Sequence, residues 1–219
     1  MNQKIIKNHQ KGLQSFIEIY SRLLNPFGHK NWWPADTPFE VVVGTILTQQ
    51  TKWENVEKAI RNLKENGLMA AEPLARAELE ELEGFVRCTG FYRQKAKRLK
   101  DISRFFYENP SIFDKPVDEL RAILLSLDGV GNETADSIVL YAAGKPKFVI
   151  DAYTKRMCTC MGIEGDYGEL QSLFEGSVPR DVPLYKEYHA LIVEYGKQFC
   201  GKKRCGECVF VETEKSDSL

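Results

Sequence analysis

The 219-residue sequence lacks any hydrophobic run that approaches the ~20 apolar residues of a membrane span. Residues 1–14 are polar and contain lysine without an apolar centre, so we do not expect a secretory signal. No segment shows the alternating polarity of a half-buried strand, and no internal repeat or low-complexity tract precedes the polar residues 212–219. These absences predict a cytoplasmic, all-α protein without a membrane partner.

The sequence also lacks a net charge of one sign. Its formal net charge is −1, which by itself does not indicate a nucleic-acid-binding protein. The distribution is uneven, because residues 93–104 contain six basic side chains against the single acid Asp101. Residues 72–83 contain five glutamates against Arg76. The basic segment is either a solvated helix face or a contact surface for a nucleic-acid backbone.

Apolar residues recur at helical spacing along most of the chain. Thr37-Pro38-Phe39-Glu40 predicts a helix start, with a capping residue, proline at the first position and an acid at the third. Asn66-Gly67 is typical of a helix end. Further helices are predicted near residues 13–24, 53–63, 96–106, 117–124, 135–142, 153–161 and 184–199.

The segment from Leu127 to Asp151 is the most informative for function. Gly129 and Gly131 stand one residue apart, which predicts a tight hairpin with exposed backbone N–H groups, and a short helix follows. A hairpin with the N-terminus of a helix beside it is an anion cradle, and the natural anion is a nucleic-acid phosphate. Asp151 follows Gly131 by twenty residues, so a carboxylate is expected next to that backbone. An alternative role for Asp151 is a helix N-cap before Ala152.

This segment resembles the helix-hairpin-helix motif and following aspartate of the endonuclease III superfamily of DNA glycosylases. Four other segments resemble its 3-methyladenine DNA glycosylase III branch, so that the similarity covers roughly residues 13–200; they are 32–34, 39–53, 90–99 and 192–197. The resemblance implies two helical domains with a DNA-binding cleft between them. Residues 26–140 would form a central helical barrel with the motif, and residues 1–25 plus 141–219 would form the second domain.

The resemblance also implies a base-excision-repair enzyme that hydrolyses the N-glycosidic bond of a flipped-out base. Asp151 would be catalytic, since a fixed carboxylate stabilises positive charge on the sugar and orients the attacking water. Trp33, Pro34, Trp53 and Lys197 would form the base pocket. Aromatic faces stack on an extruded base for ~1–3 kcal/mol and attract a cationic base such as 3-methyladenine. The alternatives are that the Trp-Trp-Pro segment belongs to the core, as we expect for Trp32, and that Lys197 is a surface lysine.

DNA is the expected partner, as a double strand that contains a damaged base, and the protein is expected to act as a monomer. Gln49 stands where relatives place a residue that fills the gap left by the flipped base. The remaining predicted DNA contacts come from the hairpin and the basic segment, and are Gly129, Val130, Gly131, Thr134, Lys95, Lys97 and Arg98.

Glu133 stands where lyase-competent relatives have a lysine whose amine forms a Schiff base with the sugar. A glutamate cannot form that imine, so we predict a monofunctional glycosylase for alkylated purines. Two alternatives stay open. One is a glycosylase or lyase for oxidised pyrimidines or mismatched thymine. The other is a helix-hairpin-helix module that binds DNA without catalysis.

The six cysteines are expected as thiols or metal ligands rather than disulfides. Cys200, Cys205 and Cys208 form a C-x4-C-x2-C pattern, whereas relatives with an iron–sulfur cluster show C-x6-C-x2-C-x5-C. Glu214 stands where the fourth cysteine would fall. An altered iron–sulfur cluster, a relic of one, and a zinc site all remain open. His9, His29 and His189 show no ligand spacing.

Overall fold

The computed structural model describes residues 16–30 and 32–202, together with residues 204 and 207. All regular elements in this part of the chain are helical, which confirms the predicted all-α fold. No helix in it has the length and apolar character needed to cross a bilayer. The α-helices are α1 (16–27), α2 (Pro38–Thr48), α3 (Trp53–Glu65), α4 (Ala71–Arg76), α5 (Leu79–Val86), α6 (Tyr92–Glu108), α7 (Val117–Leu125), α8 (Asn132–Ser137), α9 (Ala152–Cys160), α10 (Tyr167–Ser177) and α11 (Val182–Tyr195). Short 3₁₀ turns cover Arg87–Thr89 and Ile112–Asp114, and π turns cover Ile138–Ala142 and Gly196–Cys200.

The chain divides into two compact units. The central unit is Trp33–Lys147, and the split unit combines Met1–Trp32 with Phe148–Leu219. The helix-hairpin-helix segment belongs to the central unit, whereas Asp151 belongs to the split unit. The domain limits implied by the resemblance, at residues 25/26 and 140/141, stay a prediction.

Helix α2 is the centre of the core of the central unit. It begins as predicted, because the side chain of Thr37 accepts a hydrogen bond from the backbone N–H of Glu40 at 3.1 Å and Pro38 occupies the first turn. Its apolar side chains are buried against those of α3 and α6, at about 1.5–3 kcal/mol for each fully buried side chain. They are Val41, Val42, Val43, Ile46 and Leu47. This packing fixes the end of α2, from which Gln49 projects.

Aromatic rings form the core of the split unit. Phe148 and Phe174 stack with ring centroids 4.4 Å apart, and Phe16 meets Phe174 edge-on at 4.7 Å. Both backbone polar groups of Phe148 are hydrogen-bonded to side chains of α10. Its N–H donates to Glu175 at 2.9 Å, and its carbonyl accepts from Gln171 at 2.6 Å. Phe148 to Ile150 are buried, and their packing fixes the position of Asp151 at the start of α9.

Candidate DNA-binding and catalytic residues

The predicted hairpin lies between α7 and α8. Gly129 has φ +76°, a left-handed conformation that favours glycine, whereas Gly131 is extended with φ −92° and ψ −179°. Val130 is buried, so its part in DNA binding would come through its backbone. Glu133 lies exposed in the first turn of α8. The tight turn expected from the two glycines is therefore present.

A salt bridge fixes the two helices of the hairpin. The guanidinium of Arg121 on α7 donates to both carboxylate oxygens of Asp136 on α8, at 2.6 and 3.2 Å, and to the side-chain oxygen of Asn132 at 2.9 Å. Asp136 is fully buried. A bidentate pair of this kind fixes direction as well as distance. The hairpin is consequently held by side chains that the sequence pattern did not single out.

Gln49, Arg98, Gly129 and Thr134 come together at the hairpin. Nη1 of Arg98 donates to Oε1 of Gln49 at 2.9 Å. Nε2 of Gln49 donates in turn to the carbonyl of Gly129 at 3.0 Å and to the hydroxyl of Thr134 at 3.2 Å. The Arg98 side chain lies so close to Gly129 that a Cβ on this glycine would overlap it. Four of the predicted DNA-contact residues thus form one hydrogen-bonded cluster.

Lys95 requires a correction, because it is only 2% exposed. Its ammonium donates to the backbone carbonyls of Leu47 and Thr89, each at 2.8 Å, so it holds the end of α2 beside the turn before α6. Burial lowers its pKa from 10.5 to about 8. The prediction that Lys95 contacts DNA does not fit this interior position.

The exposed side of the basic segment lies on α6 and its start. Lys97 is exposed and pairs with Asp101 at 3.1 Å, and the exposed Arg93 lies 3.7 Å from Glu83. Phe91, to which the sequence pattern assigned no role of its own, is 62% exposed and has φ +46°. An exposed aromatic residue in the left-handed region is unusual and often marks a functional contact.

Trp33 and Trp53 meet in an aromatic cluster of the central unit, and their base-pocket role stays a prediction. Their ring centroids are 5.7 Å apart at an interplanar angle of 85°, and Tyr141 approaches Trp33 at 5.3 Å. Gly44 makes room for this arrangement, since a Cβ there would lie 3.1 Å from the Trp33 ring. Trp53 donates from Nε1 to Glu57 at 2.9 Å. Pro34 is exposed, and Tyr141 is a member that the sequence pattern did not indicate.

Asp151 is the N-cap of α9, as one of its two sequence interpretations predicted. Its Oδ1 accepts hydrogen bonds from both the backbone N–H and the hydroxyl of Thr154, at 2.7 and 2.8 Å. The side chain retains 13% exposure. Two donors on one oxygen fix the rotamer of the carboxylate and leave its charge in a largely buried place, which is compatible with a catalytic role.

His189 lies beside this carboxylate, although the sequence pattern gave it no role. Its Nε2 is 3.9 Å from Oδ2 of Asp151, and its side chain is 4% exposed. The Trp32 ring packs on the imidazole with centroids 5.4 Å apart. Burial lowers the pKa of His189, and the Asp151 carboxylate opposes this by raising it. Because the partner stands far from His189 in the chain, local spacing could not have revealed the pair.

Lys197 lies exposed in the π turn that follows α11. The preceding Gly196 is buried against Tyr153 of α9, and a Cβ at Gly196 would lie 2.6 Å from Cγ of that ring. Glycine therefore allows the π turn to touch the helix that Asp151 caps. The base-pocket role of Lys197 stays a prediction.

Of the three predicted metal ligands, only Cys200 lies within the described residues, where it is half-buried at the end of the π turn. Cys205 and Cys208 lie outside them. Burial raises the pKa of the Cys158 thiol to about 12. Among the residues that the structure describes, no three histidine, cysteine or acidic side chains are grouped to hold a metal ion. The iron–sulfur cluster stays a prediction.

Known proteins share both the sequence and the fold. A candidate DNA repair glycosylase of Methanocaldococcus jannaschii is 49% identical over 209 residues, covering 91% of this chain and 95% of that protein. Endonuclease III of Thermotoga maritima is 31% identical over 195 residues, covering 87% and 86%. The H. pylori 3-methyladenine DNA glycosylase bound to 1,N6-ethenoadenine has a TM-score of 0.73 at 32% identity, covering 85% of this chain and 95% of that one.

The similarity extends to a defined family. The family model described as HhH-GPD superfamily base excision DNA repair protein matches residues 43–179, which include the hairpin, Gln49 and Asp151. The resemblance stated from the sequence is therefore confirmed at the level of the superfamily. The chain belongs to the HhH-GPD superfamily of base excision DNA repair proteins and is a DNA repair glycosylase of that family.

Proposed function

We propose that the protein is a monofunctional DNA glycosylase that removes alkylated purines such as 3-methyladenine from double-stranded DNA. It hydrolyses the bond between C1′ and the base nitrogen and leaves the strand intact. Flipping the nucleotide out of the stack costs a few kcal/mol, least for a damaged base. The enzyme acts as a monomer in this proposal.

The observation that supports catalysis most strongly is the fixed carboxylate of Asp151. Both Thr154 donors bind Oδ1, so Oδ2 is the oxygen that can face developing positive charge on the sugar and accept a proton from the attacking water. A preorganised charge in a water-poor site does not have to reorient during the reaction.

The aromatic cluster supports the alkylated-purine assignment. The rings of Trp33, Trp53 and Tyr141 lie together within one unit, where the two tryptophans are half-buried and Tyr141 is buried. Aromatic faces attract a cationic methylated base. A methylated purine is also a good leaving group, so the site has to select the base more than it has to activate it. The H. pylori relative, named for 3-methyladenine, agrees with this choice.

The hairpin cluster supports backbone contact with the duplex. Arg98 supplies positive charge next to Gly129, and Lys97 is exposed one residue earlier on α6. The turn has open space at Gly131, where an added Cβ would meet no atom within 4 Å. Glycine is not required there by the chain itself, since its backbone is extended. Close approach of a phosphate explains the residue better.

A second candidate is a glycosylase or lyase for oxidised pyrimidines or mismatched thymine. It is favoured by the endonuclease III relative at 31% identity. Glu133 opposes the lyase version, because no amine stands at that position of the motif. It does not oppose excision of mismatched thymine by water.

The test is product analysis with matched duplexes that contain methylated purines, an oxidised pyrimidine or a G·T mismatch. We expect free methylated purine and a strand that breaks only after treatment with alkali. Release of an oxidised pyrimidine or thymine without release of methylated purine would favour the second candidate. DNA binding without release from any duplex would contradict both.

A further inference from the structure

The buried imidazole of His189 lies beside Oδ2, the oxygen of the Asp151 carboxylate that the proposed reaction uses. Oδ1 of Asp151 is occupied by the two Thr154 donors, whereas Oδ2 faces Nε2 of His189 at 3.9 Å. This separation is too long for a hydrogen bond, which requires about 2.7–3.2 Å. At this distance the imidazole and the carboxylate interact electrostatically. The attraction is strong only when His189 is protonated and carries a positive charge.

The surroundings of His189 keep it uncharged near neutral pH. Its side chain is buried, and the uncharged Trp32 ring packs against it. Burial is the larger effect on the imidazole and lowers its pKa below 6.5, while the Asp151 carboxylate raises it. Protonation in acid would therefore place a cation next to Oδ2.

Other ionisable side chains on α9, α11 and the π turn have less influence than Asp151 on the charge of His189. The nearby charged residues of α9 and the π turn are exposed to water, where charge is screened, and they are Lys155, Arg156 and Lys197. On α11 itself, burial raises the pKa of the Tyr185 and Tyr188 phenols, so both are neutral. Glu187, also on α11, lies 3.6 Å from the exposed His29. Asp151 is the acid that faces His189 from α9.

We propose that His189 is a positioning residue for excision, whose neutral imidazole leaves the charge of Asp151 Oδ2 available for the reaction and whose protonated form pairs with that oxygen and stops excision in acid. This proposal rests on the proposed function of Asp151. Excision should rise with pH as the imidazole of His189 loses its proton, and burial places this step below the ordinary histidine pKa of 6.5.

The experiment measures single-turnover excision of a methylated purine from pH about 4.5 to 8 with the full chain. Wild type and His189→Gln are compared on the same duplex, so that any pH dependence of the substrate is common to both. We expect the wild-type rate to fall about tenfold for each pH unit below the imidazole titration. In His189→Gln the acid limb should move to lower pH, with little change in DNA affinity. An unchanged midpoint would overturn the proposal.

His29→Gln is the matched control. It also removes one imidazole from the split unit, but that side chain is 80% exposed and faces Glu187 instead of Asp151. This variant should keep the wild-type acid limb. If it shifts the limb as His189→Gln does, the shift does not arise from the Asp151 pair.

A second measurement protects the test against a His189 variant that does not fold. The imidazole of His189 is titrated by NMR in wild type and in Asp151→Asn, where asparagine can still cap α9. Loss of the carboxylate should lower the pKa of His189, and an unchanged value would overturn the proposal. The two failures are separable, because an active Asp151→Asn defeats the proposed function. An inactive Asp151→Asn with an unchanged acid limb in His189→Gln defeats only the pairing.

Discussion

Alanine should destabilise the protein at Gly129 but change its stability little at Gly131, because the two hairpin glycines have different surroundings. Gly129 has φ +76°, and a Cβ there would overlap Cδ and Nε of Arg98 and lie 2.8 Å from its Cζ. Gly131 is extended, and a Cβ there meets no atom within 4 Å. Gly129→Ala therefore creates backbone strain and a clash with Arg98, whereas Gly131→Ala creates neither.

The magnitudes follow from these positions. The left-handed conformation costs alanine about 1–2 kcal/mol. Moving Arg98 away from Gln49 removes a hydrogen bond with a net value of about 0.5–1.5 kcal/mol. Alanine also restricts the unfolded chain more than glycine does, and this raises the free energy of unfolding by roughly 0.4–1 kcal/mol in both variants. Gly131 is also the N-cap of α8, where alanine is less favourable than glycine by roughly 0.5–1 kcal/mol, which offsets that gain. The free energy of unfolding should fall by about 1–2 kcal/mol in Gly129→Ala and change by less than about 0.5 kcal/mol in Gly131→Ala.

Urea denaturation and duplex binding separate the two effects. Both variants should bind duplex DNA about tenfold more weakly, Gly129→Ala because Arg98 is displaced and Gly131→Ala because its methyl group stands where a phosphate approaches. Gly131→Ala with wild-type affinity would refute close approach of DNA at the hairpin. Gly129→Ala with wild-type stability would refute the steric argument.

Three further predictions concern the buried lysine, the lyase position and the aromatic cluster. Lys95→Met should lower the free energy of unfolding by about 1–2 kcal/mol, because the carbonyls of Leu47 and Thr89 lose their donor. Since burial lowers the pKa of Lys95 from 10.5 to about 8, its ammonium costs stability below pH 8 and that cost disappears as pH rises to 10.5. The wild-type advantage in urea denaturation should therefore grow between pH 8 and 10.5, and a constant difference would contradict the burial of a charge. Borohydride should trap no wild-type protein on abasic DNA, whereas Glu133→Lys should form some covalent adduct, and a trapped wild type would contradict monofunctional chemistry. Trp33→Ala should lower kcat/KM for a methylated purine roughly 5- to 150-fold, equivalent to ~1–3 kcal/mol of stacking, and an unchanged value would exclude Trp33 from the pocket.

Features that depend on local spacing could be predicted from the sequence. The capped start of α2 at Thr37 and Pro38 is confirmed, as is the hairpin at Gly129 and Gly131. The Asp151 cap is also confirmed, because a carboxylate directly after a buried apolar pair meets the N–H groups of the next helix. In each case the residues that interact lie within a few positions of one another.

Features that depend on distant partners could not be predicted. Lys95 groups with its charged neighbours in the sequence, although it stands four residues before Leu99 on the buried stripe of α6. Its ammonium is tolerated because carbonyls from two other segments accept its hydrogen bonds. Tyr141 likewise contacts Trp33, and His189 lies next to Asp151, although both partners are far away along the chain. The helical period places such residues inside, but it does not say what they meet.

The central claim is that the Asp151 carboxylate performs excision, and one variant tests it most directly. Asp151→Asn keeps the cap of α9 and loses the charge, so the single-turnover rate on a methylated duplex should fall at least about a hundredfold with affinity for the duplex nearly unchanged. Asp166→Asn is the matched control, since Asp166 caps α10 in the same unit by accepting from Glu169. It should excise at the wild-type rate. An Asp151→Asn protein that excises as fast as this control would contradict the account.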